Sequence, residues 1–115
     1  MKESVIQTAI VEWLNVVLPK GYRCFAIPNG ARRTASGRAA NAVAGLTPGV
    51  PDLAIIGRGH IWFVEVKGPR GIVSDAQEEF LAWCATTGTP YCIARSVDDV
   101  RVALMNWNVQ TLEAL

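Results

Sequence analysis

The chain has 115 residues, half of them hydrophobic and 18 % charged, with 11 Lys and Arg against 10 Asp and Glu for a formal net charge of +1. That length suits a single domain, residues 1–115, with a real core, and excludes two. A near-neutral balance excludes a global attraction to nucleic acid, so any such binding must come from a local patch; a charged fraction below the roughly 25 % of ordinary soluble domains points to apolar surface covered by a partner, a second copy of the chain being the simplest.

Cys24, Cys84 and Cys92 form no CxxC pair, and their odd number argues against a disulfide framework. They sit in apolar segments, where a reduced thiol behaves as a small hydrophobe. With His60 as the one histidine, a zinc site is not expected. No run has the length and apolarity of a membrane span and no signal peptide is visible, so the expected location is intracellular and cytoplasmic.

Along residues 4–18 the apolar positions Ile6, Ala9, Ile10, Trp13, Leu14 and Val17 recur at helical spacing, and Pro19-Lys20-Gly21 ends the element. Glu3 and Gln7 stand on the stripe of Ile10 and Leu14, so two polar groups head the buried face; a first-turn acid is equally what the helix dipole favours. Residues 22–27 read as a short strand stopped by Pro28-Asn29-Gly30. Residues 31–49 then hold Arg32, Arg33 and Arg38, several glycines and no acid. Such a segment suggests a phosphate-gripping arm, with Asn29 at its start as a further candidate contact. A solvated loop, or a short helical turn over the Ala-rich residues 39–44, are the other readings.

The stretch that organises the chain comes next. Two apolar runs, residues 49–56 and 61–68, flank Gly57-Arg58-Gly59-His60 and read as a β-hairpin, with Pro51 where its missing N–H does least harm. If the turn centres on Arg58 and Gly59, Gly57 pairs with His60 and Asp52 falls opposite Glu65, on one face with Lys67. Leu53, Ile55, Trp62, Val64 and Val66 fill the other face. The charged face is otherwise apolar too, through Ala54, Ile56, Ile61 and Phe63, the pattern of strands buried between two layers. Two carboxylates held so close raise each other's pKa, and a divalent cation is the usual way to keep both ionised. Oxygen ligands favour Mg2+ or Mn2+, with Lys67 beside the metal able to orient a water or stabilise a pentacovalent phosphate. The alternative is a hairpin ending in solvated charges, with Lys67 neutralising one acid.

Beyond the hairpin, Arg70 lies in a Gly-Pro-Arg-Gly turn as a candidate phosphate contact or an ordinary exposed arginine. Ser74-Asp75-Ala76-Gln77 has capping-box spacing and opens a helix to about residue 86, ended by Gly88 and Pro90. Gln77 shares a stripe with Phe80, Leu81 and Cys84, so it faces inward as well as being able to cap; Glu78 and Glu79 read as solvated charges. Residues 91–95 form a further strand. Ser96 caps a last helix whose stripe is Val97, Val100, Leu104 and Trp107. Residues 108–115 keep Val109, Leu112 and Leu115 apolar, for packing on the body or on a second subunit. The order of helix, strand, hairpin, helix, strand, helix implies an α/β fold, a mixed sheet of about four strands flanked by helices on both faces.

Pro51-Asp52, followed across a hairpin by Glu65-Val66-Lys67, resembles the PD-(D/E)XK nuclease motif. In its extended form, Gly49-Val50-Pro51-Asp52-Leu53 with Glu65-Val66-Lys67-Gly68-Pro69, it is similar to the VRR-NUC (virus-type replication-repair nuclease) branch. The resemblance implies the restriction-endonuclease-like fold and a metal-dependent phosphodiesterase. In it Asp52, Glu65 and the Val66 carbonyl hold Mg2+ or Mn2+, and Lys67 assists the attacking water. It also implies that Glu3 and Gln7 line the active site from the first helix and that Gln77 reaches it from the second. Standalone small members of the branch look like homodimeric Holliday-junction resolvases, often in a phage setting. The function so implied is a structure-specific endodeoxyribonuclease acting on branched DNA as a homodimer. Cleavage of flaps or nicked duplex, or a non-cleaving nucleic-acid-binding module of the same fold, are the alternatives.

Overall fold

The first helix, α1 (Glu3–Val17), forms where the apolar stripe requires it, and buries Ile6, Ile10, Leu14 and Val17. In the computed structural model, which describes residues 1–28 and 44–114, Leu18 ends it in extended backbone just before Pro19. Asn29, Arg32, Arg33, Arg38 and residues 39–43 of the Ala-rich stretch lie outside the described residues. Strands β1 (Arg23–Ala26), β2 (Leu53–Gly57), β3 (His60–Val66) and β4 (Tyr91–Ala94) make a four-stranded sheet in the order β1-β2-β3-β4. The first two pairings are antiparallel and β3 runs parallel to β4. A parallel return needs a crossover, supplied by α2 (Asp75–Thr87). Helix α3 (Val97–Asn106) and a short 3-10 turn (Leu112–Ala114) complete the chain.

The hairpin takes the expected register. Arg58 and Gly59 both have positive φ, 53° and 78°, the requirement of a two-residue type I′ turn, and Gly57 pairs with His60. From there the ladder runs to Leu53 opposite Val64.

One sheet face carries the core. Leu53, Ile55, Trp62, Val64 and Val66 pack with Ile6, Ile10 and Leu14 of α1 and with Val100 and Leu104 of α3. Each such side chain, fully buried, contributes about 1.5–3 kcal/mol of transfer free energy, so this contact fixes both helices. Tyr22 and Trp107 stack on Trp62 at 6.0 and 6.4 Å between ring centroids. Val109 is buried against the same cluster. Glu113 accepts hydrogen bonds from Trp13 Nε1 (3.1 Å) and Arg101 Nε (2.8 Å), which ties the C-terminal residues to the body.

The opposite face differs from the expectation of two covering layers. Phe80 of α2 meets Phe63 edge-on at 5.9 Å, but Phe25, Ile56 and Ile93 remain 42, 43 and 37 % exposed. The reason is width: a helix about 10 Å across cannot cover four strands spaced about 4.8 Å apart. Strand periodicity shows which residues share a face but not whether a helix lies over it.

Candidate active site

The charged face of the hairpin ends in Asp52 and Glu65, which the register, continued one pair beyond Leu53 and Val64, sets against each other. Asp52 has left the ladder proper. Its backbone carbonyl accepts from Ile27 N at 2.8 Å, and its Oδ2 accepts from Val66 N, also at 2.8 Å. The carboxylate is thereby pinned across the mouth of the hairpin. Glu65, only 1 % exposed, belongs fully to β3.

Glu65 Oε2 accepts from Gln77 Nε2 at 2.9 Å and lies 3.6 Å from Lys67 Nζ. Its second oxygen, Oε1, is buried and has no partner among the described residues. An orphaned buried carboxylate oxygen is costly, and the protonation equilibrium reflects it. Burial first, then the charge of the Asp52 carboxylate and the hydrogen bond that a protonated Glu65 can give it, push the Glu65 carboxyl up to about 8; Lys67 opposes the rise and Glu3 adds to it. Lys67 is itself buried, and the methylene stem of its side chain lies against Gly71. An ammonium with so little freedom is a fixed charge.

Gln77 answers to both readings of the sequence at once. Its Oε1 accepts from Ser74 N at 2.9 Å, and its backbone N donates to Ser74 Oγ at 3.2 Å, completing a capping box at the start of α2. The amide nitrogen left over is the group that reaches Glu65. A glutamate at this position could cap equally well but could not donate to a carboxylate.

The approach of α2 depends on Gly49. At φ +80° a Cβ there would collide with the Ala76 carbonyl and come within 2.7 Å of Gln77 N. The loop before Asp52 therefore lies directly on the first turn of the helix that carries Gln77. From the other side, a Cβ on Gly68 would lie 3.6 Å from Met1 O and 3.8 Å from Glu3 N, so the start of α1 abuts the backbone just after Lys67.

Among the described residues no group of three or more His, Cys, Asp or Glu side chains is placed to hold a metal ion. Two carboxylates, one with an unpartnered buried oxygen and a pKa raised first by burial and then by the other acid, nevertheless suit a hard cation. Mg2+ is commonly held by one or two carboxylates and completes its shell with water. The residues present fit that group.

A family model for the VRR-NUC domain matches residues 1–98. The chain belongs to the VRR-NUC family. A solved structure described as a VRR_NUC domain protein is similar over 91 % of this chain and 86 % of its own, with a TM-score of 0.57 and 22 % identity, a likeness of fold. No curated protein matches the chain. Family membership carries a nuclease-type function. Among the described residues no helix is long and apolar enough to cross a membrane.

In this VRR-NUC chain Asp52, Glu65, Val66, Lys67 and Gln77 come together in one place. Glu3 is exposed and acts on Glu65 through its charge. Gln7, half-buried, lines a shallow recess with Ser4, Thr8, Val11 and Glu12 on the flank of α1. Arg70 is exposed in the turn after Lys67, and His60 is exposed at the far end of the hairpin. Sequence reasoning missed Arg95, whose Nη1 donates to Gly68 O at 2.6 Å and steadies the backbone behind Lys67. An arginine just past a short strand gives no such signal. Gly49 stood within the family motif, but its contact with α2 is visible only once the helix is in place.

Proposed function

We propose that this chain, as one domain over residues 1–115, is a Mg2+- or Mn2+-dependent endodeoxyribonuclease that hydrolyses phosphodiester bonds in branched DNA. Four-way junctions are its principal substrate and a homodimer its working form. The observation that carries the reading is Glu65 Oε1, a buried carboxylate oxygen with no hydrogen-bond donor among the described residues, on a side chain set against Asp52 and 3.6 Å from Lys67 Nζ through its other oxygen. A structural ion pair has no use for a second closely opposed acid; a cation site does. Asp52, Glu65 and the Val66 carbonyl would hold the metal, which when bound polarises the scissile phosphate and acidifies a water. Lys67 places its ammonium where it can orient the attacking water and offset charge gathering on the phosphate. Gln77 holds the Glu65 carboxylate in one rotamer, and Glu3 tunes its charge from the first turn of α1. Gln7, Asn29, Arg32, Arg33, Arg38 and Arg70 are assigned to the DNA backbone; with a net charge of +1, such a local set must supply the attraction. The exposed Phe25, Ile56 and Ile93 give a second copy apolar surface to cover.

The test is cleavage of a labelled four-way junction, with flap, nicked-duplex, linear-duplex and single-stranded controls, in Mg2+ or Mn2+. Paired symmetric nicks on the junction are expected, lowered about a hundredfold or more by Asp52→Ala or Lys67→Ala. Cutting of flaps instead keeps the chemistry and changes the substrate. Junction binding with no product in either metal removes the enzyme and leaves a binding module.

A further inference from the structure

The helix that delivers Gln77 to Glu65 also lines a second recess, between itself and the loop before Gly49. It encloses about 550 Å3, within the range of small-molecule sites, and is lined by Thr47, Pro48, Ala76, Glu79, Phe80 and Trp83. Phe80 is half-buried, wedged edge-on between Phe63 at 5.9 Å and Trp83 at 5.5 Å. Trp83 is 54 % exposed. A tryptophan so open on a helix surface contributes little to the fold, and Phe80 behind it is braced at a fixed angle. The two rings form an aromatic wall open to solvent.

The recess adjoins the carboxylate pair. Ala76 precedes Gln77 in the chain and Phe80 follows it by one turn, and from Gln77 to Trp83 the helix advances only about 9 Å. A strand with its phosphate at Glu65 and Lys67 thus brings a neighbouring nucleotide over this wall. Charge decides which part of the nucleotide enters. No Lys or Arg stands among the lining residues, and the Glu79 carboxylate repels a phosphate. The same carboxylate can accept a hydrogen bond from the exocyclic amino group of cytosine, as acidic side chains do, and by the same chemistry from that of adenine or guanine. Aromatic faces stack on any base. Bases inside a duplex have both faces covered by their neighbours, so only an unpaired nucleotide can use them.

We propose that the Phe80–Trp83 recess binds an unpaired nucleobase of the nucleic-acid substrate, stacked on the two rings with its amino group on Glu79. Its position beside the cut rests on the nuclease reading above. Among branched substrates this selects those that expose an unpaired nucleotide at the branch: a four-way junction opened at its centre, for which a flap is the simplest stand-in.

The experiment is fluorescence-anisotropy binding of a flap substrate in Ca2+, which separates affinity from cleavage, with an abasic nucleotide walked through the unpaired strand and a linear duplex as control. Trp83→Ala is expected to weaken flap binding about tenfold and duplex binding less than twofold, and Trp83→Phe to restore most of the loss. One abasic position should weaken the natural protein to the same degree and abolish the effect of Trp83→Ala. Equal loss on flap and duplex, no sensitive position, or no measurable flap binding overturns the proposal. So does sedimentation showing that Trp83→Ala turns a dimer into a monomer, because a second copy then fills the recess. Cleavage in Mg2+, measured in parallel, keeps the two readings apart: base-dependent binding without product sinks the nuclease and spares the recess, and cleavage with no base dependence does the reverse.

Discussion

Gln77 and Lys67 both touch Glu65 Oε2, yet they should fail differently. Gln77→Ala removes one half of the capping box and the amide that restrains the carboxylate, whereas Ser74→Ala removes the other half and leaves Glu65 untouched. Each should cost about 1 kcal/mol of stability in denaturant unfolding. In cleavage assays Gln77→Ala should lose about tenfold and Ser74→Ala almost nothing, because only the first frees the Glu65 side chain to leave its rotamer. Equal activity in the two variants would assign Gln77 to the cap alone. Lys67→Ala leaves Glu65 with a weaker counter-charge inside the protein, so its carboxyl should titrate still higher. That variant should lose turnover at constant substrate affinity, the mark of a group acting on the transition state.

At the scale of elements, two contacts set the geometry. The hairpin turn places Arg58 at φ 53°, where a residue with a long side chain is strained and Asn or Gly is at ease. Arg58→Asn should therefore raise stability by about 0.5–1 kcal/mol without moving the register, read as a higher denaturant midpoint at unchanged slope. Gly49→Ala should do the opposite. The added methyl pushes the loop off the first turn of α2, and the separation of Gln77 from Glu65 should follow as lost activity at little change in fold. These two elements also mark how far the sequence could be read. The hairpin was legible because turn chemistry fixes register, and register fixes which side chains face each other; Asp52 and Glu65 followed from Arg58-Gly59. The double role of Gln77 was half-legible, since Ser74 and the stripe each pointed to one of its bonds but nothing said that one amide could serve both. The exposure of Ile56 and Phe25 was not legible, because it depends on how much sheet one crossover helix can cover.

For the molecule as a whole, the carboxylate pair should govern how stability varies with pH. Burial and the Asp52 carboxylate push the Glu65 carboxyl in the folded chain up to about 8, from an unperturbed 4.5. Below pH 4.5 the carboxyl is protonated in folded and unfolded chains alike, and nothing is lost. Between 4.5 and about 8 the folded chain holds a proton that the unfolded chain has released, so stability falls as pH rises, and it levels off above. The loss is on the order of a few kcal/mol, a large part of the stability of a small domain. Glu65→Gln should remove this slope, and the difference between the two proteins isolates it from the other acids. A cation bound by Asp52 and Glu65 acts in the opposite sense, because it binds the ionised pair. Saturating Mg2+ should raise the Tm of the natural protein by several degrees at pH 8.5 and by less at pH 5.5, with no effect on Glu65→Gln at either. A Tm that ignores Mg2+ at every pH, while still falling between pH 5 and 8, would mean that the buried acid is real and the metal is not. Glu65 would then be a proton-binding group whose proton is held by burial and by the neighbouring Asp52 carboxylate, against the pull of Lys67, and the nuclease reading would lose the observation on which it stands.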